Sequence, residues 1–119
     1  MLATLIAVAL FQQPSAIQPG DLGSALYQSC QSAIRVQDGT ANADDLYAAP
    51  RCSSYTDGFI DGFEAARGQE FCMNGPRLGT IVRVYVAYMQ KTPKEMDEDK
   101  HVGLLHAIVG AYPCPTKRK

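Results

Sequence analysis

The chain lacks tryptophan, has only two histidines and shows no excess of basic residues. Its 11 lysines and arginines are balanced by 12 aspartates and glutamates, which leaves a formal net charge of −1. Proteins that bind a phosphate backbone present a field of positive charge, and this chain has none. Nucleic acid is therefore excluded as a partner.

Catalytic and cofactor-binding motifs are also missing. The chain contains no G-x-S-x-G, no H-E-x-x-H and no phosphate-binding glycine loop. His101 and His106 lie five residues apart, which on a helix places them on nearly opposite sides, unsuited to a shared ligand or a proton relay. We therefore predict that the chain is not an enzyme, has no catalytic residue and needs no cofactor.

The chain has no long hydrophobic run. A membrane-spanning helix needs about 20 apolar residues, whereas the longest apolar run here covers only residues 1–11. Small residues follow this run and end at Ala16, as in a signal peptidase site. We predict that residues 1–16 are a secretory signal peptide and that the mature domain, 17–119, has no membrane segment. Because no lysine or arginine precedes the run, a buried first helix is the alternative.

Four cysteines stand out in a chain of otherwise ordinary composition: Cys30, Cys52, Cys72 and Cys114. An even number of cysteines in a small exported chain predicts two disulfides formed in an oxidising compartment. A zinc site is the competing interpretation, but no C-x-x-C pair and no adjacent histidine supports it. We predict no metal.

The first half of the chain has two segments with apolar residues at helical spacing. The first covers 22–37, with Gly39 placed to end it, and the second covers 52–67. The segment between them, 38–50, is rich in Asp, Asn, Gly and Ala and closes with proline, so we predict an exposed connection with one helical turn around 44–48.

The second half predicts two more helices. The third runs from Pro76 to about Gln90 and carries a wide apolar stripe, although its β-branched residues leave a strand over 80–88 as an alternative. The segment 92–95 (Thr-Pro-Lys-Glu) matches a capping box that starts the fourth helix, and Pro113 stops it. The fold class is therefore all-α, a small bundle of four to five helices with two disulfides.

This bundle also predicts how the cysteines pair. In antiparallel neighbours, Cys30 late in the first helix and Cys52 at the start of the second come within disulfide reach. Cys72, just before the third helix, and Cys114, just after the fourth, meet in the same way. Four cysteines allow three connectivities, so the predicted pairs Cys30–Cys52 and Cys72–Cys114 rest on the bundle arrangement.

Three acidic residues share one face of the second helix: Asp57, Asp61 and Glu64, at positions i, i+4 and i+7. A solvated face is the simplest interpretation. The face is also a candidate partner-binding surface. A hydrolase that uses two of these carboxylates as acid and base is a weaker hypothesis, because no neighbour in sequence would tune one of them.

The chain resembles the Rap1a/Tai family of type VI secretion immunity proteins, small periplasmic helical domains of Gram-negative bacteria. The resemblance runs from Tyr27 to Cys114. Its specific elements are the pattern C-x-x-Y-x-x-G-x-x-x-G over 52–62, the pair Phe-Cys at 71–72, the helix segment Val-Tyr-Val-Ala-Tyr at 84–88 and the pair Pro-Cys at 113–114.

This resemblance implies a periplasmic protein that binds a cell-wall amidase effector and blocks its active-site cleft, as such proteins often do in the form of a homodimer. Because the family's inhibitors use loops between helices, it points to contacts in the segment 91–100, at Lys94, Glu95, Asp97 and Glu98, with the acidic face as a second candidate. An HdeA-like periplasmic acid-stress chaperone, or a general protein-binding domain, is the alternative function.

Overall fold

The computed structural model describes residues 18–66, 71–73 and 75–115. These residues form α1 (Gly23–Asp38), α2 (Ala43–Ala65), α3 (Leu78–Lys91) and α4 (Lys100–Ala111), with 3₁₀ turns at Pro19–Asp21 and Pro93–Asp97, and they contain no β-strand. The prediction of an all-α bundle is confirmed. No helix in the described part is long and apolar enough to cross a membrane. The predicted signal peptide, 1–16, lies outside the described residues.

Helix α1 (Gly23–Asp38) differs from its predicted bounds, 22–37, by one residue at each end. It ends at Gly39, whose φ of 73° lies in the left-handed region, and the Gly39 N–H donates to the carbonyl oxygens of Arg35 and Val36. Glycine adopts this conformation without the steric cost that a Cβ would bring. Leu26, Cys30 and Ala33 face the core from α1.

Helix α2 begins at Ala43, so the prediction of an exposed connection over 38–50 is wrong. The Asn42 side chain accepts a hydrogen bond from the Asp45 backbone N–H (2.9 Å), and the Asp45 carboxylate accepts one from the Asn42 N–H (3.1 Å). This capping box satisfies two N–H groups that a helix start leaves unpaired. Asp and Asn therefore start the helix here, where the sequence pattern indicated a loop.

Asp45 also joins this helix start to α1. Its carboxylate is 4% exposed and receives two hydrogen bonds from Arg35, from Nη2 at 2.7 Å and from Nε at 2.9 Å, and a third from the Ser32 hydroxyl at 2.9 Å. The Arg35 guanidinium and the Asn42 N–H hold the pKa of Asp45 well below its usual range. The ion pair fixes the N-terminal end of α2 against the last turn of α1.

Pro50 lies inside α2. Proline has no N–H, so the Leu46 carbonyl loses its usual intrahelical donor. Both residues are exposed, which lets water take the place of the missing donor. The helix therefore continues through the proline and reaches Ala65.

The second half of α2 carries a row of aromatic rings along its apolar stripe. The ring centroids of Tyr55 and Phe59 are 6.4 Å apart, those of Phe59 and Phe63 are 5.6 Å apart, and the row ends on Phe71 at 4.9 Å. Phe71 is buried, so the segment after α2 is anchored to the core next to Cys72.

Helix α3 lies at the centre of the core, so the strand alternative over 80–88 is wrong. Its buried residues are Ile81, Val82, Tyr85, Val86 and Met89. The helix begins at Leu78, two residues after Pro76, with Arg77 as its N-cap residue. The Tyr85 hydroxyl donates a hydrogen bond to the Gly23 carbonyl oxygen at 3.2 Å, and burial raises the pKa of Tyr85.

The fourth helix begins at Lys100, and the predicted capping box at 92–95 does not form. The Thr92 side chain makes no capping hydrogen bond, and Pro93–Asp97 is a separate 3₁₀ turn, called the Pro93 turn below. The reason is that the Glu95 side chain points into the protein and not back to Thr92. Helix α4 packs Leu104, Ala107 and Ile108 into the core and ends at Ala111, before the prolines.

Both predicted disulfides are confirmed. Cys30–Cys52 joins α1 to α2 with a Cα–Cα distance of 4.9 Å, and neither residue is exposed to solvent. Cys72–Cys114 joins the segment before α3 to the segment after α4, with a Cα–Cα distance of 4.8 Å. The pairs close sequence separations of 22 and 42 residues.

Removing the buried disulfide is expected to destabilise the fold strongly. In the chain-entropy account, a cross-link that closes a loop of this size stabilises the folded state by about 3 kcal/mol. We expect the Cys30→Ala/Cys52→Ala double variant to lose at least about this much unfolding free energy in urea titrations. An unchanged urea midpoint would show that the bond constrains nothing.

The Asp45 ion pair predicts a specific pH dependence. A carboxyl whose folded-state pKa is depressed stabilises the protein above its unfolded pKa, about 3.9, and that stability is lost as the pH falls towards the folded value. Asp45→Asn should therefore be less stable than the parent at pH 7, and the difference should shrink below about pH 4. Thermal unfolding between pH 2.5 and 7 measures this, with the exposed neighbour Asp44→Asn as the matched control. A difference that stays constant with pH contradicts it.

Candidate functional site

The described residues do not assemble a catalytic or metal centre. No group of three or more His, Cys, Asp or Glu side chains among them is placed to hold a metal ion. His101 is exposed on α4, and His106 lies on the same helix with its Nδ1 2.9 Å from the Glu95 carboxylate. The described cysteines are all in disulfides. Two charged surfaces, the acidic face of α2 and the Pro93 turn, are the candidate sites for binding a partner.

The acidic face of α2 consists of Asp57, Asp61 and Glu64, and all three residues are exposed. Tyr55, Phe59 and Phe63 lie on the same half of the helix and pack against the core. The three carboxylates therefore lie in water along one side of α2. A contact between this face and a partner stays a prediction.

In the Pro93 turn and at Glu98, the residue after it, three charged side chains are exposed and one is buried. Lys94, Asp97 and Glu98 are exposed, as a contact segment requires, whereas Glu95 is only 7% exposed. Sequence reasoning placed Glu95 with the contact residues, and the structure places its side chain in the interior. The turn therefore presents three charged side chains and is held from inside by the fourth.

Glu95 connects the turn to two helices. Its Oε1 accepts hydrogen bonds from the Tyr88 hydroxyl of α3 at 3.0 Å and from the His106 ring of α4 at 2.9 Å. Burial and the hydrogen bond to Glu95 raise the pKa of Tyr88. The second oxygen, Oε2, is buried and has no hydrogen-bond partner among the described residues. Glu95 thus fixes the turn relative to α3 and α4.

The start of α1 holds the same turn from the other side. The Gly23 N–H donates to the Glu98 carbonyl oxygen at 2.8 Å, and Leu22 pairs with Asp99 in an isolated antiparallel bridge. A Cβ atom at Gly23 would overlap the Glu95 carbonyl oxygen, so only glycine allows the backbones this close. Three helices therefore define the position of the Pro93 turn.

The sequence analysis missed Tyr88, His106 and Gly23 as residues that support the turn. Tyr88 and His106 lie 7 and 11 residues from Glu95, on different helices, so no local pattern connects them. The one signal in the sequence is Glu95 itself, which lies in a short segment with a proline and neighbouring acidic residues. The sequence pattern of that segment matches a capping box, which does not predict an inward-pointing side chain.

In the described residues, four helices joined by two disulfides, with a charged turn held in place, define a small all-α domain. The family model of the Rap1a immunity proteins matches residues 22–114, and the chain belongs to that family. Its function is accordingly that of an immunity protein against a bacterial effector. No curated protein and no solved structure matches the chain.

Replacing Glu95 should loosen the turn to an extent that depends on the replacement. Glu95→Ala leaves the Tyr88 hydroxyl and the His106 ring without their partner, and we expect a loss of about 1–3 kcal/mol in unfolding free energy. Glu95→Gln keeps an acceptor oxygen and should lose less. Urea unfolding measures both variants, with the exposed Glu98→Gln as the control. Equal stability of Glu95→Ala and the parent would contradict the anchoring role.

Proposed function

We propose that this immunity protein acts in the periplasm, where it binds a type VI secretion amidase effector and inhibits it by covering the active-site cleft. Membership of the Rap1a immunity proteins supports binding to an effector. The resemblance to the Rap1a/Tai immunity proteins supports an amidase that cleaves peptidoglycan. The chain protects its own cell by occupying the enzyme.

The observation that carries the cellular location is the pair of disulfides. Structural disulfides form and persist in oxidising compartments such as the bacterial periplasm, whereas the cytosol keeps thiols reduced. All four cysteines are paired, and one pair is fully buried, so both bonds are part of the folded structure. Peptidoglycan lies in the same compartment, so an inhibitor folded there meets the enzyme where the enzyme acts.

The contact surface we propose is the Pro93 turn together with the acidic face of α2. Lys94, Asp97 and Glu98 are exposed on a turn that Glu95 holds in place. A turn fixed before binding loses little conformational freedom when the effector docks, which favours tight binding. Two copies of the chain would present two such turns, and the family resemblance supports a homodimer.

The partner to test is a peptidoglycan amidase whose gene adjoins the gene for this chain. We expect the purified mature protein, 17–119, to bind that amidase with a dissociation constant below about 1 µM in titration calorimetry. Peptidoglycan hydrolysis should fall in proportion to the immunity protein added and stop at a fixed stoichiometry, because an inhibitor occupies the enzyme and does not turn over.

The location is tested in cells that express the amidase in the periplasm. Full-length chain should restore growth, whereas a variant without residues 2–16 should not, because it stays in the cytosol. Protection by the cytosolic variant would contradict periplasmic action. Absence of binding to the neighbouring amidase, with hydrolysis unaffected, would contradict the proposed inhibition.

A further inference from the structure

An open cleft of about 870 Å³ lies along α1 and the first half of α2, and none of Lys94, Asp97, Glu98 or the three carboxylates of the acidic face lines it. Residues at helical spacing line its two walls, so each helix turns one continuous face towards it. Its polar lining residues include Gln28, Ser32 and Arg35 on α1 and Asp44, Arg51 and Tyr55 on α2. The cleft therefore offers hydrogen-bonding groups along its whole length.

Among the described residues, one cation of this cleft forms no ion pair. Arg35 is neutralised by Asp45, and Lys100, at the end of the cleft, lies 3.2 Å from Asp21. Arg51 forms no ion pair with any carboxylate in the described parts of the chain. A guanidinium in this position is complementary to a carboxylate, which it can bind through two parallel hydrogen bonds.

An exposed tyrosine lies beside this arginine. The Tyr47 side chain is 77% exposed, and the Arg51 guanidinium carbon lies 5.6 Å from the centroid of its ring. Stacking limits the motion of both side chains before any partner arrives. Tyrosine and arginine are also the residue types that contribute most often to binding energy at protein interfaces.

The helix that carries this pair is held in place before binding. The Asn42–Asp45 capping box and the Arg35–Asp45 ion pair fix the first turn of α2, and the Cys30–Cys52 disulfide fixes the helix at the residue that follows Arg51. The Tyr47–Arg51 pair lies between these two anchors. Its position relative to α1 therefore needs no reordering when a partner binds.

We infer that the α1–α2 cleft, together with the Tyr47 ring that stacks on its lining residue Arg51, is a second docking surface for the effector, and that it accepts a segment carrying a carboxylate next to an apolar side chain. The carboxylate pairs with Arg51 and the apolar side chain packs on the Tyr47 ring. Asp44, two turns before Arg51 on the same wall, repels a second negative charge, so the segment is not polyacidic. This inference rests on the proposed function.

Calorimetric titration of the neighbouring amidase with cleft variants tests the inference. We expect Tyr47→Ala and Arg51→Ala each to weaken binding by about tenfold or more, and Arg51→Glu to weaken it further through repulsion of the carboxylate. Arg51→Lys should recover only part of the affinity, because an ammonium does not bind a carboxylate at two points. The parent should lose affinity with added salt more steeply than Arg51→Ala.

Leu46→Ala is the matched control. Leu46 is 61% exposed on the same helix, but it neither lines the cleft nor stacks on Arg51 as Tyr47 does, so its replacement removes exposed apolar surface without touching the proposed contact. We expect Leu46→Ala to bind like the parent, and all variants to unfold at the parent's temperature because the replaced side chains are exposed.

Failure of the proposed function and failure of the cleft inference give different results in this experiment. If the parent binds no amidase, the proposed function fails and the cleft inference fails with it. If the parent binds while Tyr47→Ala and Arg51→Glu bind equally well, the cleft inference alone is overturned. A loss for Leu46→Ala as large as that for Tyr47→Ala also overturns it, because the contact would then lie outside the cleft.

Discussion

The fold depends first on the buried bond between Cys30 and Cys52. A chain of 119 residues has a small core, and such cores supply little net stability. This bond makes α1 and α2 a covalently joined hairpin whose other end is held by the Arg35–Asp45 ion pair. Helix α3 packs on that hairpin, and the second disulfide ties the segments before α3 and after α4 together.

Rigidity of this kind suits an immunity protein. An inhibitor has to present its contact residues in one geometry, because each side chain or loop that is ordered on binding reduces the affinity. Here the Pro93 turn is held by Glu95 and by the start of α1, and the Tyr47–Arg51 pair is carried on a helix fixed at both ends of the relevant segment. The interior of the protein thus determines the geometry of its surface.

The sequence predicted the helices whose apolar spacing is regular, and it predicted both disulfides, because cysteine positions on antiparallel helices limit which pairs can meet. It failed where a polar residue bonds across the fold. Helix α2 starts early, at Ala43, because Arg35 lies opposite Asp45 and pairs with it. Glu95 points inward because Tyr88 and His106 form hydrogen bonds with its carboxylate. Local composition predicted an exposed connection for the first segment and a capping box for the second.

Peptide mapping of the non-reduced protein, purified from periplasmic extract, tests this account most directly. Proteolysis followed by mass spectrometry should find Cys30 linked to Cys52 and Cys72 linked to Cys114, with no free thiol. Free thiols, or links between other pairs, would contradict the architecture, and free thiols would also contradict the oxidising compartment on which the proposed function depends.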